Sequence, residues 1–96
     1  MGRRRKKTRE HQYESGAYLS ILERIAVNCR RLRESAEWTQ EEAAHNIGLS
    51  TRLLQRAEAC DANLTLTTIA RLCQGYEVDI SELVARRRRG NSRARR

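Results

Sequence analysis

The sequence predicts an all-α fold, a compact set of five short helices flanked by disordered basic tails. Three observations carry that expectation. No stretch alternates apolar and polar residues over the length of a strand. Apolar residues instead recur at three- and four-residue steps, and each such run follows a Ser, Thr or Asp able to cap a helix. Proline and phenylalanine are absent, and the β-branched residues are sparse and scattered.

The first helix opens at Ser20, where Glu23 stands three residues on and completes a reciprocal capping box. Its apolar stripe is Leu22, Ile25, Cys29, Leu32 and Ala36, with Arg24, Arg30, Arg31 and Glu34 on the other faces. The second opens at Thr39 with Glu42, carries Ala43, Ala44 and Ile47, and stops at Gly48. So short a helix does not persist alone and needs tertiary support. Only Gly48 and Leu49 separate it from the next cap, Ser50, and a third short helix runs through Leu53, Leu54, Ala57 and Glu58. Two short helices joined this way cross steeply, as in a helix-turn-helix pair. After a loop over 60–63, Thr65 caps a fourth helix bearing Leu66, Ile69, Ala70, Leu72 and Cys73, which ends near Gly75. Asp79 and Glu82 make a third capping box and open a short helix with Ile80, Leu83 and Val84. From Arg86 the chain is an arginine run, either a frayed continuation of that helix or disorder. The divisions are a basic arm over 1–17, a helical domain over 18–86 and an arginine-rich tail over 87–96.

The formal charge of +8 invites a nucleic-acid reading, but its distribution matters more than its sum. Residues 1–10 hold six Lys or Arg and residues 86–96 hold seven Arg, whereas 11–85 hold 7 bases beside 11 acids. The middle is therefore net acidic, and a helical domain there must meet a polyanion through local geometry. Three cysteines (Cys29, Cys60, Cys73) show no CxxC spacing, and His11 and His45 stand apart from them. This excludes a structural zinc site and reads as reduced thiols, with Cys29 and Cys73 in the core. No apolar run suits a membrane helix or a signal sequence, and the Met-Gly start lacks the Ser or Thr that myristoylation wants. No nucleophile–base spacing and no phosphate-cradling glycine loop appear, so an enzyme is not expected, nor a cofactor.

At one level the residues go further. The string Ile25-x-x-Asn28-x-Arg30-Arg31-Leu32-Arg33, then Trp38-Thr39-Gln40-Glu41-Glu42-Ala43-Ala44, then Ile47-Gly48-Leu49-Ser50, resembles the Cro/C1-type (Xre-like) helix-turn-helix family. The match continues in order through Arg56-x-Glu58, Thr65-Leu66-x-Thr68-Ile69 and Val78-Asp79-Ile80-Ser81-Glu82-Leu83. The resemblance implies a lambda-repressor-like fold and a sequence-specific, double-stranded DNA-binding transcriptional regulator. Such a protein is repressor-like, a homodimer on a pseudo-palindromic site, cytoplasmic and nucleoid-associated, and of bacterial or phage origin.

The resemblance also implies residue roles. Gln40, on the first turn of the second helix, grips a phosphate that the helix terminus also contacts, with Thr39 and Ser50 beside the backbone. Thr51, Arg52 and Gln55 read bases, and Arg56 either reads a base or holds a phosphate. The chemistry suits them: Arg pairs bidentately with guanine, Gln with adenine, and a Thr methyl meets the thymine methyl. Leu53 departs from the family's usual Ser or Thr, and either packs on a thymine methyl or adapts the face to a protein. Arg33 and Glu58 correspond to a buried ion pair tying the first helix to the end of the third. Cys60 stands where the family often has Gly; a Cys tolerates positive φ poorly, so this turn is expected to take another geometry. Trp38 is expected to cover the core below the second helix. The arm residues Arg3, Arg4, Arg5, Lys6 and Lys7 either enter a minor groove or bind polyanions without preference. Two rivals stay open: a protein-interaction module on the same scaffold, and an RNA binder led by its arginine tails. The second is weakened by the lack of aromatics in those tails.

Overall fold

The computed structural model describes residues 15–61 and 63–87. They form α1 (Gly16–Ser35), α2 (Gln40–Ile47), α3 (Thr51–Glu58), α4 (Leu66–Tyr76) and α5 (Ile80–Leu83), with no strand among the described residues. The expected all-helical class and helix order hold.

Most starts lie where capping chemistry puts them. Thr39 Oγ1 accepts from the Glu42 N–H at 3.0 Å while the Glu42 carboxylate accepts from the Thr39 N–H at 2.8 Å, the full reciprocal box. Ser50 accepts from the Leu53 N–H and Thr65 from the Thr68 N–H. Two expectations shift. The cap of α1 is Ser15, extended at φ −66° and ψ 154°, which accepts from the Tyr18 N–H. Ser20 lies inside the helix, and Gly16 and Ala17, assigned above to the arm, are helical. Asp79 caps α5 by accepting from Ser81 rather than Glu82, so this start is a simple cap and not a box.

The stops share one device. After the first four helices an N–H one or two residues past the cap reaches five residues back: Trp38 to Arg33 (3.1 Å), Leu49 to Ala44 (2.9 Å), Asp61 to Arg56 (2.8 Å) and Val78 to Cys73 (3.0 Å). Each loop needs one residue in the left-handed region. Gly48 supplies it after α2 at φ 89°, but Glu37 (62°), Cys60 (63°) and Glu77 (58°) do so elsewhere. The expectation that Cys60 would avoid positive φ is thereby corrected. The Asp61 N–H and a second bond, from Arg56 Nε to the Asp61 carbonyl at 3.0 Å, hold the turn against its steric cost. The α4 terminus is corrected too: the helix runs past Gly75 to Tyr76. Gly75 is required by packing, since a Cβ there would run into the Ile47 side chain.

The core is Ile25, Cys29, Ala43, Ala44, Ile47, Leu54, Leu72 and Leu83, drawn from all five helices. Of the expected α1 stripe, Ala36 falls outside, exposed at the helix cap. Trp38 covers the core as expected, stacked on Tyr76 with ring centroids 6.0 Å apart. All three cysteines are free, with Cys29 buried, Cys73 half-buried and Cys60 exposed. Asn28, fully buried, donates to the carbonyls of Leu83 (2.8 Å) and Ala85 (2.9 Å) and accepts from Arg87 Nε (3.0 Å). It takes the Leu83 carbonyl that a further helical turn would use, so residues 85–87 do not continue α5. Among the described residues, no helix is long and apolar enough to cross a membrane, and no cluster of His, Cys, Asp and Glu could hold a metal ion.

Candidate nucleic-acid interface

The geometry begins at Gly48. Its positive φ turns the chain within three residues from the end of α2 to the cap of α3, and α3 then packs against both α1 and α2. Leu54, Ala57 and Glu58 face inward and are buried, the first two with no exposed surface. The 3.6-residue period therefore turns Arg52, Gln55 and Arg56 outward, with Thr51 and Leu53 half-buried at the margin. No acid lies in the first turn of α3, so its positive dipole end is uncompensated beside Arg52. The first turn of α2 differs, since Glu41 and Glu42 already sit there.

Beneath this face lies a polar cluster that holds α1, α2 and α3 together. Arg33 meets Glu58 as a fork, Nε to Oε2 at 2.7 Å and Nη2 to Oε1 at 3.1 Å. Its remaining Nη1 donates to the Trp38 carbonyl at 3.1 Å. That hydrogen bonding with Glu58, against a smaller opposing effect of burial, raises the Arg33 pKa above its ordinary value. The expected ion pair is present. Sequence reasoning missed that Gln40 joins it, Nε2 donating to Glu58 Oε1 at 3.0 Å, while Gln55 Nε2 approaches Gln40 Oε1 at 3.4 Å. Gln40 thus links the ion pair to the exposed face. It also missed Arg30, whose Nη1 donates to the Glu58 carbonyl at 3.0 Å. Separations of 15, 18 and 28 residues leave no local pattern to find. Arg56 spends its Nε on the Asp61 carbonyl, leaving its terminal nitrogens outward. Arg3 to Lys7 lie outside the described residues.

A family profile for a helix-turn-helix domain matches residues 24–86. The chain belongs to the helix-turn-helix domain family, consistent with its resemblance to the Cro/C1 type. Two solved structures share the fold of this helix-turn-helix protein. One is an HTH_3 family transcriptional regulator from Vibrio cholerae, 24% identical with a TM-score of 0.65, matched over 70% of this chain and 38% of that one. The other is a hypothetical transcription factor from Neisseria, 24% identical with a TM-score of 0.66, matched over 78% of this chain and 83% of that one. The helix-turn-helix chain thus spans well under half of the Vibrio protein and most of the Neisseria one. No curated protein matches the sequence.

Proposed function

We propose that the protein is a sequence-specific, double-stranded DNA-binding regulator of transcription, repressor-like, that lays α3 in the major groove. The observation that carries this reading is the outward face of α3: Arg52, Gln55 and Arg56 exposed, Thr51 at the margin and no acid among them, on a helix anchored from behind through Glu58. Arg52 pairs with guanine, Gln55 with adenine, and Thr51 and Leu53 meet thymine methyls. Arg56 holds a phosphate or an outer base through its terminal nitrogens. Thr39, Gln40 and Ser50 lie along the backbone beside the starts of α2 and α3. One recognition helix covers only a few base pairs, so the binding unit is a homodimer on two half-sites. The basic residues of both ends add counterion release, which strengthens binding without choosing sequence.

Selection from random duplex DNA at a fixed salt concentration tests the reading. A defined motif should emerge. Arg52→Ala should relax preference at one position and weaken the selected site by roughly tenfold to a hundredfold, as the loss of one bidentate base contact costs about 1–3 kcal/mol. Equal affinity for every duplex sinks it.

A further inference from the structure

A groove of about 570 Å³ runs between the outer face of α1 and residues 85–87, away from the face of α3 just described. Its α1 residues, among them Arg24, Val27 and Arg31, alternate with the buried Leu22, Ile25, Ala26 and Cys29, so they occupy the opposite side of the helix from the core. Five guanidinium groups line it, from Arg24, Arg30, Arg31, Arg86 and Arg87, against the carboxylates of Glu23 and Glu34. Asn28 builds the second wall, because its bonds to the Leu83 and Ala85 carbonyls and from Arg87 Nε draw the chain back onto α1.

Two features mark this groove as more than a solvated basic face. Arg24 Nε and Arg31 Nε and Nη2 are shielded from solvent and have no hydrogen-bond acceptor among the described residues. Arg31 also stands near a like charge: burial first, then the charge of Arg87, push its guanidinium below the ordinary range, with Glu82 opposing. Shielded donors without acceptors, beside a pair of like charges, are relieved by an anion with several oxygens. Guanidinium forks match phosphate geometry, and the excess of three positive charges over negative ones on the lining suits a diphosphate better than a monoanion. The volume lies within the range of small-molecule sites, about 300–1,000 Å³, and exceeds what one phosphate fills.

We propose that this groove is a second anion site, separate from the DNA-reading face, which takes the diphosphate group of a small phosphorylated molecule between Arg24, Arg31 and Arg87. It does not depend on the DNA reading.

The test is a titration of the full isotope-labelled chain with inorganic pyrophosphate at constant ionic strength, following the arginine Nε–Hε resonances by NMR. The signals of Arg24, Arg31 and Arg87 should shift saturably while those of Arg52 and Arg56 hold still. Arg31→Gln should weaken binding at least tenfold. Arg86→Gln, at an exposed position that leaves the fold intact by circular dichroism, should weaken it severalfold. Unsaturable shifts shared by all arginines, or equal responses to sulfate and orthophosphate, overturn the proposal. So does saturable binding that neither variant changes, because the pyrophosphate then sits on the terminal basic runs.

Discussion

Glu58 is 3% exposed, yet it carries a carboxylate that accepts from Arg33 twice and from Gln40 once. Removing it strands the Arg33 guanidinium beneath α3. Glu58→Ala should therefore lower unfolding stability by about 3–5 kcal/mol, since a partly buried charge loses its partner. Urea denaturation gives the number, and a loss below 1 kcal/mol would show that the pair is solvent-screened and decorative. Legibility at this scale was uneven. The Arg33–Glu58 pair was readable only because both residues stand at matching positions of a family resemblance; their separation of 25 residues carries no local signal. Gln40 was legible as a residue near a helix start, but its bond to Glu58 was not, because a side-chain amide that bridges two helices obeys no sequence period.

At the scale of the element, helix starts were legible and helix ends less so. A cap needs one side-chain oxygen at the boundary, a requirement written in residue type, and Thr39, Ser50 and Thr65 meet it. Ser15 was passed over because Ser20 with Glu23 offered a better-looking box, yet the Ser15 side chain caps the Tyr18 N–H and starts the helix a turn earlier, on a stretch that is mostly exposed. Gly75 misled for a related reason: glycine signals either a stop or a close approach, and Ile47 makes it the second. The four stops repeat one loop, but three of them place a side-chain-bearing residue where glycine is at ease. Cys60→Gly should relieve about 1–2 kcal/mol of left-handed strain while loosening the unfolded chain by about 0.5–1 kcal/mol. The expected outcome is a small net rise in the urea midpoint. A fall would mean that the Cys60 side chain packs more than its exposed position suggests.

Across the whole molecule, charge and titration divide cleanly. The basic residues gather at the two ends, and the net-acidic middle puts some of its arginines into specific contacts: Arg33 on Glu58, Arg30 on the α3 terminus, Arg71 on the Gly48 carbonyl. The fold should weaken in alkali. Burial first, then the charges of Glu58 and Cys73, push the Cys29 thiol up to about 12 from an ordinary value of 9.0. A folded-state pKa above the unfolded one means a contribution fully present below pH 9 and lost as the pH rises toward 12. Stability measured by urea midpoint should decline across that window. Cys29→Ala, less stable at neutral pH, should decline less steeply, and a residual slope should remain because burial also raises the Tyr76 phenol. Parallel slopes for the two proteins would remove Cys29 from the account.

Asn28 has a consequence for the order in which the protein is made. Its three partners lie 55, 57 and 59 residues further along the chain, so as the polypeptide emerges from a ribosome this amide waits, unpaired, until residue 87 is clear. A polar group that must be buried without partners opposes collapse of α1 onto the helices already released. Asn28 is therefore satisfied only at the last step of closure, when residues 83–87 reach α1. The chain that leaves α5 serves as a clasp on α1, fastened after every other helix has been made.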